Sequence, residues 1–402
     1  MSEQHAIYKR IGPQPTEIQP VVDVADLKRT PLHGLHCALG ASMAPFAGYD
    51  MPVHYPMGVM EEHIHTRRRA GLFDISHMGQ VRLVASGADH LMEQITPGDI
   101  VGLAPGRLRY TFLMKENGGI YDDLMVTRPE VTDSASSDTL YLVLNAAFQE
   151  KDVVIMEHAF SDVEGVALIK EDDRALLALQ GPEAVDVLAT LMGAPSLKTM
   201  PFMSVQDVVW QGVSYRVSRC GYTGEDGFEI SVVSNRAESL ARSLLAHEAV
   251  EPIGLGARDS LRLEAGLCLS GQDIDENTSP VEAGLMRFVP KRRREEGNYL
   301  GAEIIHQQLE KGVRWHRVGI VPEGRAPARS GVVIIGSGEE DIGVVSSGGF
   351  GPSVGRPVAM GYVLDGWQKV GTAVRLIVRD KARAGHIVDM PFIEPNYYRG
   401  KK

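Results

Sequence analysis

The residues best equipped for chemistry in this chain are few. Asp122 and Asp123 stand side by side in an apolar run, Glu229 interrupts another, and Arg258 opens a helical pattern, with Tyr110 and Tyr222 in the intervening stretches. A lone carboxylate in a strand is costly unless it meets a partner, so these acids need a reason to be there. Glu229 can accept two hydrogen bonds from an amidine-like edge, and the Arg258 guanidinium can fork a carboxylate. Tyrosines stack, and a second buried acid of suitable pKa can orient or deprotonate an amine. Such a set suits a ligand with a flat, donor-rich ring at one end and an anion at the other. By pattern alone, the plainer reading of Arg258 is an internal ion pair that holds domains together.

The elements that position these residues can be read in outline. Residues 213–217 alternate as a strand, Gly221, Gly224 and Gly227 permit a tight loop, and residues 228–233 resume the sheet. Three glycines there suggest backbone brought close to something flat and polar. A helix over 256–269 places Arg258 and Arg262, four apart, on one face. Residues 109–113 and 120–126 form a hairpin, and 141–147 another strand with Asn145 near its end. Residues 58–70 read as a helix whose Arg67-Arg68-Arg69 end is solvated and complements the helix dipole. His63 and His65, two apart, point different ways and do not make a metal pair. Residues 45–53 read as an irregular aromatic turn.

Two stretches share an element order of strand, helix opened by a glycine turn, then hairpin. This suggests a degenerate duplication of a ferredoxin-like split βαβ module. The acid-rich loop 271–285 lacks the glycine of a calcium loop and reads as a structural turn. Residues 291–297 read as a charged linker. Beyond them, short β runs at 315–321, 332–335, 343–346, 359–363 and 373–379 indicate a small barrel or sandwich, with Gly348-Gly349-Phe350-Gly351 as a hairpin connection.

Composition bounds the function. At 402 residues, 44% hydrophobic and 23% charged, the chain reads as a globular protein of more than one domain. A net charge of −11 argues against a nucleic-acid binder. No run approaches the roughly eighteen apolar residues of a membrane span. Cys37, Cys220 and Cys268 are too dispersed for a disulfide framework or a metal knuckle, which points to a reducing, cytoplasmic setting. Serine-hydrolase, zincin, Walker and Rossmann signatures are missing.

Several longer stretches carry a resemblance. Phe73-Asp74-Ile75-Ser76-His77-Met78-Gly79, Gly118-Gly119-Ile120-Tyr121-Asp122-Asp123-Leu124, Ala178-Leu179-Gln180-Gly181-Pro182 and Cys220-Gly221-Tyr222-Thr223-Gly224-Glu225-Asp226-Gly227 are similar to the glycine cleavage system T-protein family, the aminomethyltransferases. So are Gly256-Ala257-Arg258-Asp259-Ser260-Leu261-Arg262-Leu263-Glu264-Ala265-Gly266, Asp273-Ile274-Asp275-Glu276-Asn277-Thr278-Ser279-Pro280-Val281-Glu282, and the ending Met390-Pro391-Phe392 with Asn396-Tyr397-Tyr398. The similarity is colinear from about Thr30 to the C-terminus.

The resemblance implies an α+β fold of three compact domains around a central channel, the last an all-β barrel. The expected division is a polar leader over 1–26, a folate-binding region of two interleaved α+β domains over 27–296, and a barrel domain over 297–402. It implies tetrahydrofolate as one-carbon acceptor, the lipoylated H-protein as donor, no metal, and neither nucleic acid nor membrane as partner. Carried over by position, Asp123 is the catalytic acid nearest the folate amines and Glu229 accepts from the pterin edge. Arg258 and Tyr397 match the substrate channel, and Tyr110, Asn145, Tyr222 and Met78 its lining. Departures fall at Tyr49, at Met286-Arg287 and at Ser270, and are read as surface drift. A basic face toward the acidic carrier is expected. Two other readings share the pocket: a folate-dependent demethylase, and a folate-binding scaffold without transferase activity.

Overall fold

The structure, a computed structural model, describes residues 26–130, 138–379 and 381–400; the expected leader lies outside them except for Asp26. Order begins with helix α1 (His33–Ala38), a hairpin of β1 (Ser42–Phe46) and β2 (Tyr49–His54), helix α2 (Val59–Arg68) and strand β3 (Ala70–Asp74). The stretch expected to be an irregular turn is therefore a hairpin. Its tip is Ala47-Gly48, both at positive φ (48° and 80°), as a tight hairpin turn requires. Pro45 and Pro52 disguised it, because prolines are confined to edge positions in sheets.

Two units of the same plan follow. The first runs β4 (Gly79–Val84), α3 (Ala88–Ile95), β5 (Arg107–Met114), β6 (Ile120–Arg128), β7 (Thr139–Leu144), α4 (Gln149–Ala159) and β8 (Ala167–Lys170). The second runs β9 (Arg174–Gln180), α5 (Ala184–Met192), β10 (Ser204–Trp210), β11 (Val213–Arg219), β12 (Gly227–Val233), α6 (Ser234–Leu245) and β13 (Val250–Pro252). Their strands lie in the orders β5-β6-β7-β4-β8 and β10-β11-β12-β9, the second extended by β3 and β13. The duplication is thus real, and so is the split βαβ order: β4 runs parallel to β6 with β7 between them, and β9 to β11 with β12 between them, each unit carrying one extra strand, β5 or β10. Each helix is followed by a meander of three strands rather than two, so the strand after the helix runs antiparallel to the strand before it.

The half-sheets join at a single register pair, Ser204 with Arg107, and then face each other. Ser231 Oγ on β12 lies 2.5 Å from Gln80 Oε1 on β4, and the Arg216 guanidinium sits 3.3 Å over the Tyr141 ring. Between them is a cavity walled by Leu108, Met125 and Val143 on one side and Leu176, Ser218 and Glu229 on the other. Separate apolar cores lie behind each half, one under α3 and α4 and one under α5 and α6.

Helix α7 (Leu255–Glu264) leads on through α8 (Lys291–Glu296) and α9 (Ala302–Lys311) to the C-terminal strands. The residues expected to form a charged linker are helix α8. Its Arg293 is fully buried, donating to Thr96 O at 3.4 Å and to Glu93 O. The last strands, β14 (Trp315–Pro322), β15 (Val333–Ile335), β16 (Asp341–Gly351), β17 (Arg356–Leu364), β18 (Ala373–Val378) and β19 (Lys381–Val388), close into a barrel in the order β14-β17-β16-β15-β18-β19. Gly348 to Gly351 lie inside β16, paired with Pro357, Val358, Ala359 and Arg356 of β17, and are not a connection. Gly348 is needed there because a Cβ would stand 1.9 Å from Ala328 O. Among the described residues no helix is long and apolar enough to cross a membrane.

Candidate active site

Strand alternation places the acids. Met125 faces the cavity between the half-sheets, so Asp123, two residues away on β6, faces the same side. Leu108 and Val143 carry Tyr110 on β5 and Asn145 past the end of β7 to that wall in the same way. Asn145 Nδ2 donates to Asp123 Oδ1 at 2.7 Å, Asp123 O at 3.0 Å and Asp122 Oδ1 at 2.9 Å. Burial pushes the Asp123 carboxyl up to about 7; the Asp122 charge adds to this, while Tyr110 and Asn145 hydrogen bonds oppose it. A carboxyl at that level can exchange a proton near neutrality. Asp122 is turned to the opposite side, toward Asp152 on α4.

Glu229 comes from β12 across the cavity. Burial raises its carboxyl; the Arg258 charge and a hydrogen bond from Cys220 Sγ at 3.4 Å oppose the rise. Arg258 opens α7, its guanidinium 4.7 Å over the Tyr222 ring. Burial lowers its pKa, and Glu229 and Tyr222 raise it. The internal ion pair favoured by pattern does not form: Arg258 has no salt bridge and no side-chain hydrogen bond among the described residues. Arg262, four residues on, has the structural role instead. It binds Asp259 at 2.8 Å, Asp273 at 2.6 Å, Ser347 at 2.9 Å and Leu267 O at 3.2 Å.

Tyr222 donates to Cys268 O, and its phenol feels the charges of Asp123 and Arg258. Tyr110 packs edge-on against Phe288 at 4.7 Å, and Asp123 both accepts from it and raises its pKa beyond the effect of burial. Met78, like Val59 and Val143, packs half-buried against the apolar cluster of Phe73, Ile75, Leu176 and Ala257. Its neighbour His77 is held down at about 4 by burial and by Arg258, so it stays neutral. Tyr397 stands apart from the others. It stacks on Phe202 at 4.1 Å and is brought in by the C-terminal tail, where Asn396 N donates to Gly224 O at 2.8 Å. The group thus comprises one proton-exchanging acid, one acceptor edge, one free guanidinium and several aromatic faces. It can hold a flat polar ring and an anion while Asp123 handles a proton.

Other expectations change. The glycine-rich loop is close to something flat and polar, but that partner is internal. A Cβ at Gly221 would stand 1.8 Å from Gln180 Oε1, and the Gln180 amide donates to Cys220 O at 3.0 Å and accepts from Thr223 at 2.9 Å. Arg67 is no solvated helix end: it donates to Thr223 O at 2.6 Å, Glu225 at 3.1 Å, Leu261 O at 3.3 Å and Glu264 at 3.1 Å. Ser270 is not drift either, for its buried hydroxyl lies beside Asp122 and helps to hold that carboxyl down. Sequence reasoning missed Asp152, whose signal was an acid on the buried face of α4 with Val153 and Met156.

Among the described residues no group of three or more His, Cys, Asp or Glu is arranged to hold a metal ion. The GCVT N-terminal domain family matches residues 32–293, and the glycine cleavage T-protein C-terminal barrel domain family matches residues 316–394. The mitochondrial aminomethyltransferase of Dictyostelium discoideum is 41% identical over 92% of this chain and 94% of its own length. That of Gallus gallus is 43% identical over 93% and 95%. The crystal structure of glycine cleavage system aminomethyltransferase T from Bartonella henselae superposes with a TM-score of 0.86 at 43% identity, over 92% of this chain and 99% of that one. At this identity and coverage the chain belongs to the glycine cleavage T-protein family of aminomethyltransferases.

Proposed function

We propose that this enzyme transfers the methylene carbon of an aminomethyl group, carried on the lipoyl arm of H-protein, to tetrahydrofolate. The products are 5,10-methylenetetrahydrofolate, ammonia and the dihydrolipoyl arm. The observation that carries the reading is Arg258: a buried guanidinium over the Tyr222 ring that has no ion-pair partner among the described residues, in the same neighbourhood of Tyr222 as a proton-exchanging Asp123. The residues fit folate. Glu229, whose side chain is bonded among the described residues by the Cys220 thiol alone, accepts from the amidine edge of the pterin; Tyr110 and Tyr222 cover its faces; Arg258 takes the carboxylate end. Tetrahydrofolate supplies the nucleophilic amines. Asp123 orients one of them and takes up its proton, through position and acid strength rather than a covalent bond. Asn145 fixes the carboxylate rotamer, and Tyr397 and Met78 complete the lining.

The expected division at residues 26 and 296 is proposed on the same footing, with α8 and α9 leading into the barrel. Three separate cysteines, free of disulfides, support a reducing compartment. The cytoplasm is the reading that a localisation experiment sets against the mitochondrial names of the eukaryotic relatives.

The deciding experiment is turnover of purified protein with tetrahydrofolate and aminomethyl-loaded H-protein, alongside Asp123→Asn. A loss of about 10²–10⁴-fold in the variant, with folate still bound, is expected. Folate binding without turnover in the parent chain points to a methyl-donor demethylase or a scaffold. Failure to bind folate ends the reading.

A further inference from the structure

Asp152 is a buried acid for which the proposed chemistry has no use. It is fully buried on α4, and no N–H or O–H donor reaches either of its carboxyl oxygens among the described residues. Asp122 Oδ2 is in the same position. The neighbours of Asp152 are themselves carboxyls, Asp122 first and Asp123 beyond it. The adjacent Lys151 ammonium is engaged elsewhere, with Glu276 and 5.1 Å over the Tyr121 ring. Asn145 and Ser270 serve Asp122 from its other side, and one shared proton satisfies the two buried carboxyls where they face each other. Burial raises both carboxyls, but Asp122 Oδ1 accepts from Asn145 at 2.9 Å while neither oxygen of Asp152 has a donor, so Asp152 is the member that keeps the proton.

We infer that Asp152 is a positioning residue for the transfer: its protonated carboxyl donates to Asp122, keeps Asp122 ionised, and through Asp122 and the shared Asn145 amide sets the charge and orientation of Asp123. The inference rests on the aminomethyl-transfer reading of Asp123. The geometry is a relay across β6, with Asp152 and Asp122 on the helix side, Asp123 on the cavity side, and Asn145 Nδ2 bonded to both strand acids at 2.9 and 2.7 Å. An ionised Asp122 is what makes Asp123 a weak acid beyond the effect of burial. Without a donor at position 152 the proton settles on Asp122, the charge beside Asp123 disappears, and Asp123 ionises at lower pH. The other groups facing these carboxyls are Ser270 beside Asp122, Tyr110 on Asp123, and Tyr222 and Cys268 around Tyr110. Burial keeps the phenols and the thiol neutral across the range of interest.

The test uses Asp152→Ala and Asp152→Asn in the full chain. Two readouts are the pH profile of kcat/KM and the titration of the Asp123 carboxyl by carbon NMR of Cγ-labelled aspartate, assigned with Asp123→Asn. In Asp152→Ala the acid limb and the Asp123 midpoint both fall by about one unit or more. Asp152→Asn, whose amide still donates to Asp122, keeps both at their wild-type positions. An Asp123 midpoint unmoved in a folded Asp152→Ala protein overturns the inference, as does a shift of equal size in both variants. Should Asp152→Ala not fold, the Asn variant decides, a retained midpoint supporting the relay and a shifted one ending it. The NMR titration needs no turnover, so an inactive parent enzyme would defeat the functional reading and leave the relay separately tested.

Discussion

Two arginines four residues apart on one helix have opposite fates. Arg262 is saturated by two carboxylates, a hydroxyl and a carbonyl, whereas Arg258 lies over the Tyr222 ring with no ion pair or side-chain hydrogen bond among the described residues. Replacing Arg258 by Met should therefore cost little stability. It should weaken folate by about 10–100-fold, the worth of a charge-assisted contact. Binding isothermal titration beside thermal melts separates the two; a drop in melting temperature with unchanged affinity would restore the ion-pair reading. Asp123 carries a stability signature as well. Its folded pKa, about 7, lies above the value near 3.9 of an unfolded aspartate, so the folded chain binds the extra proton. Its contribution to stability is present below the unfolded value and is lost as pH rises through about 7. The inactive Asp123→Asn protein should accordingly be the more stable one at pH 8, a gap that closes toward pH 4 in denaturant melts.

At the scale of elements, Glu264 ties three parts of the chain together from the end of α7. Its Oε2 accepts from His63 at 2.9 Å and Arg67 at 3.1 Å on α2, and its Oε1 from the backbone N–H groups of Ser353 and Val354 at 2.8 and 3.2 Å, between β16 and β17. Burial works against the charge, yet these donors outweigh it and hold the carboxyl at about 2. A depressed carboxylate stabilises the fold above its unfolded pKa, near 4.3, and loses that contribution as pH falls toward 2. Glu264→Gln should destabilise the chain by about 1.5–3 kcal/mol at neutral pH, because it removes the buried carboxylate that His63 and Arg67 share, while Arg67 keeps Glu225. Its deficit should shrink below pH 4. Equal unfolding midpoints at pH 7 would remove Glu264 from this role.

Across the whole molecule, the site exists because distant parts of the chain meet. Half-sheets built from 79–170 and 174–252 close on each other across a cavity, α7 wedges between α2 and the barrel, and the tail returns to the glycine loop. Tyr397 comes in with that return, and its contact is a stack on Phe202 at 4.1 Å; its place in the folate surface is the proposal to be tested. Tyr397→Ala should weaken folate by about 3–10-fold, in keeping with one aromatic contact, and leave the sheet and barrel spectra unchanged. Fluorescence titration with tetrahydrofolate checks it, and parent-like affinity would place Tyr397 outside the binding surface.

Local pattern was enough for much of this. Alternation in 109–113, 120–126 and 228–233, glycines at the turns and short β runs after residue 315 are properties of neighbouring residues, so the main strands and the barrel were legible. The acids and arginine that assemble around the cavity stood out because each was out of place in its own segment. Partnership was not legible, because it depends on residues far apart in sequence. Arg67 looked solvated until Glu225 and Glu264 reached it, Arg293 looked like linker until Glu93 and Thr96 covered it, and Arg258 looked paired until no acid arrived. Asp152 drew no notice in the sequence, because only the fold turns Asp122 toward it. Residue type and local period determined which elements form and which groups are chemically capable; the tertiary structure alone decided which charges are neutralised, since burial and partnership are set by long-range packing.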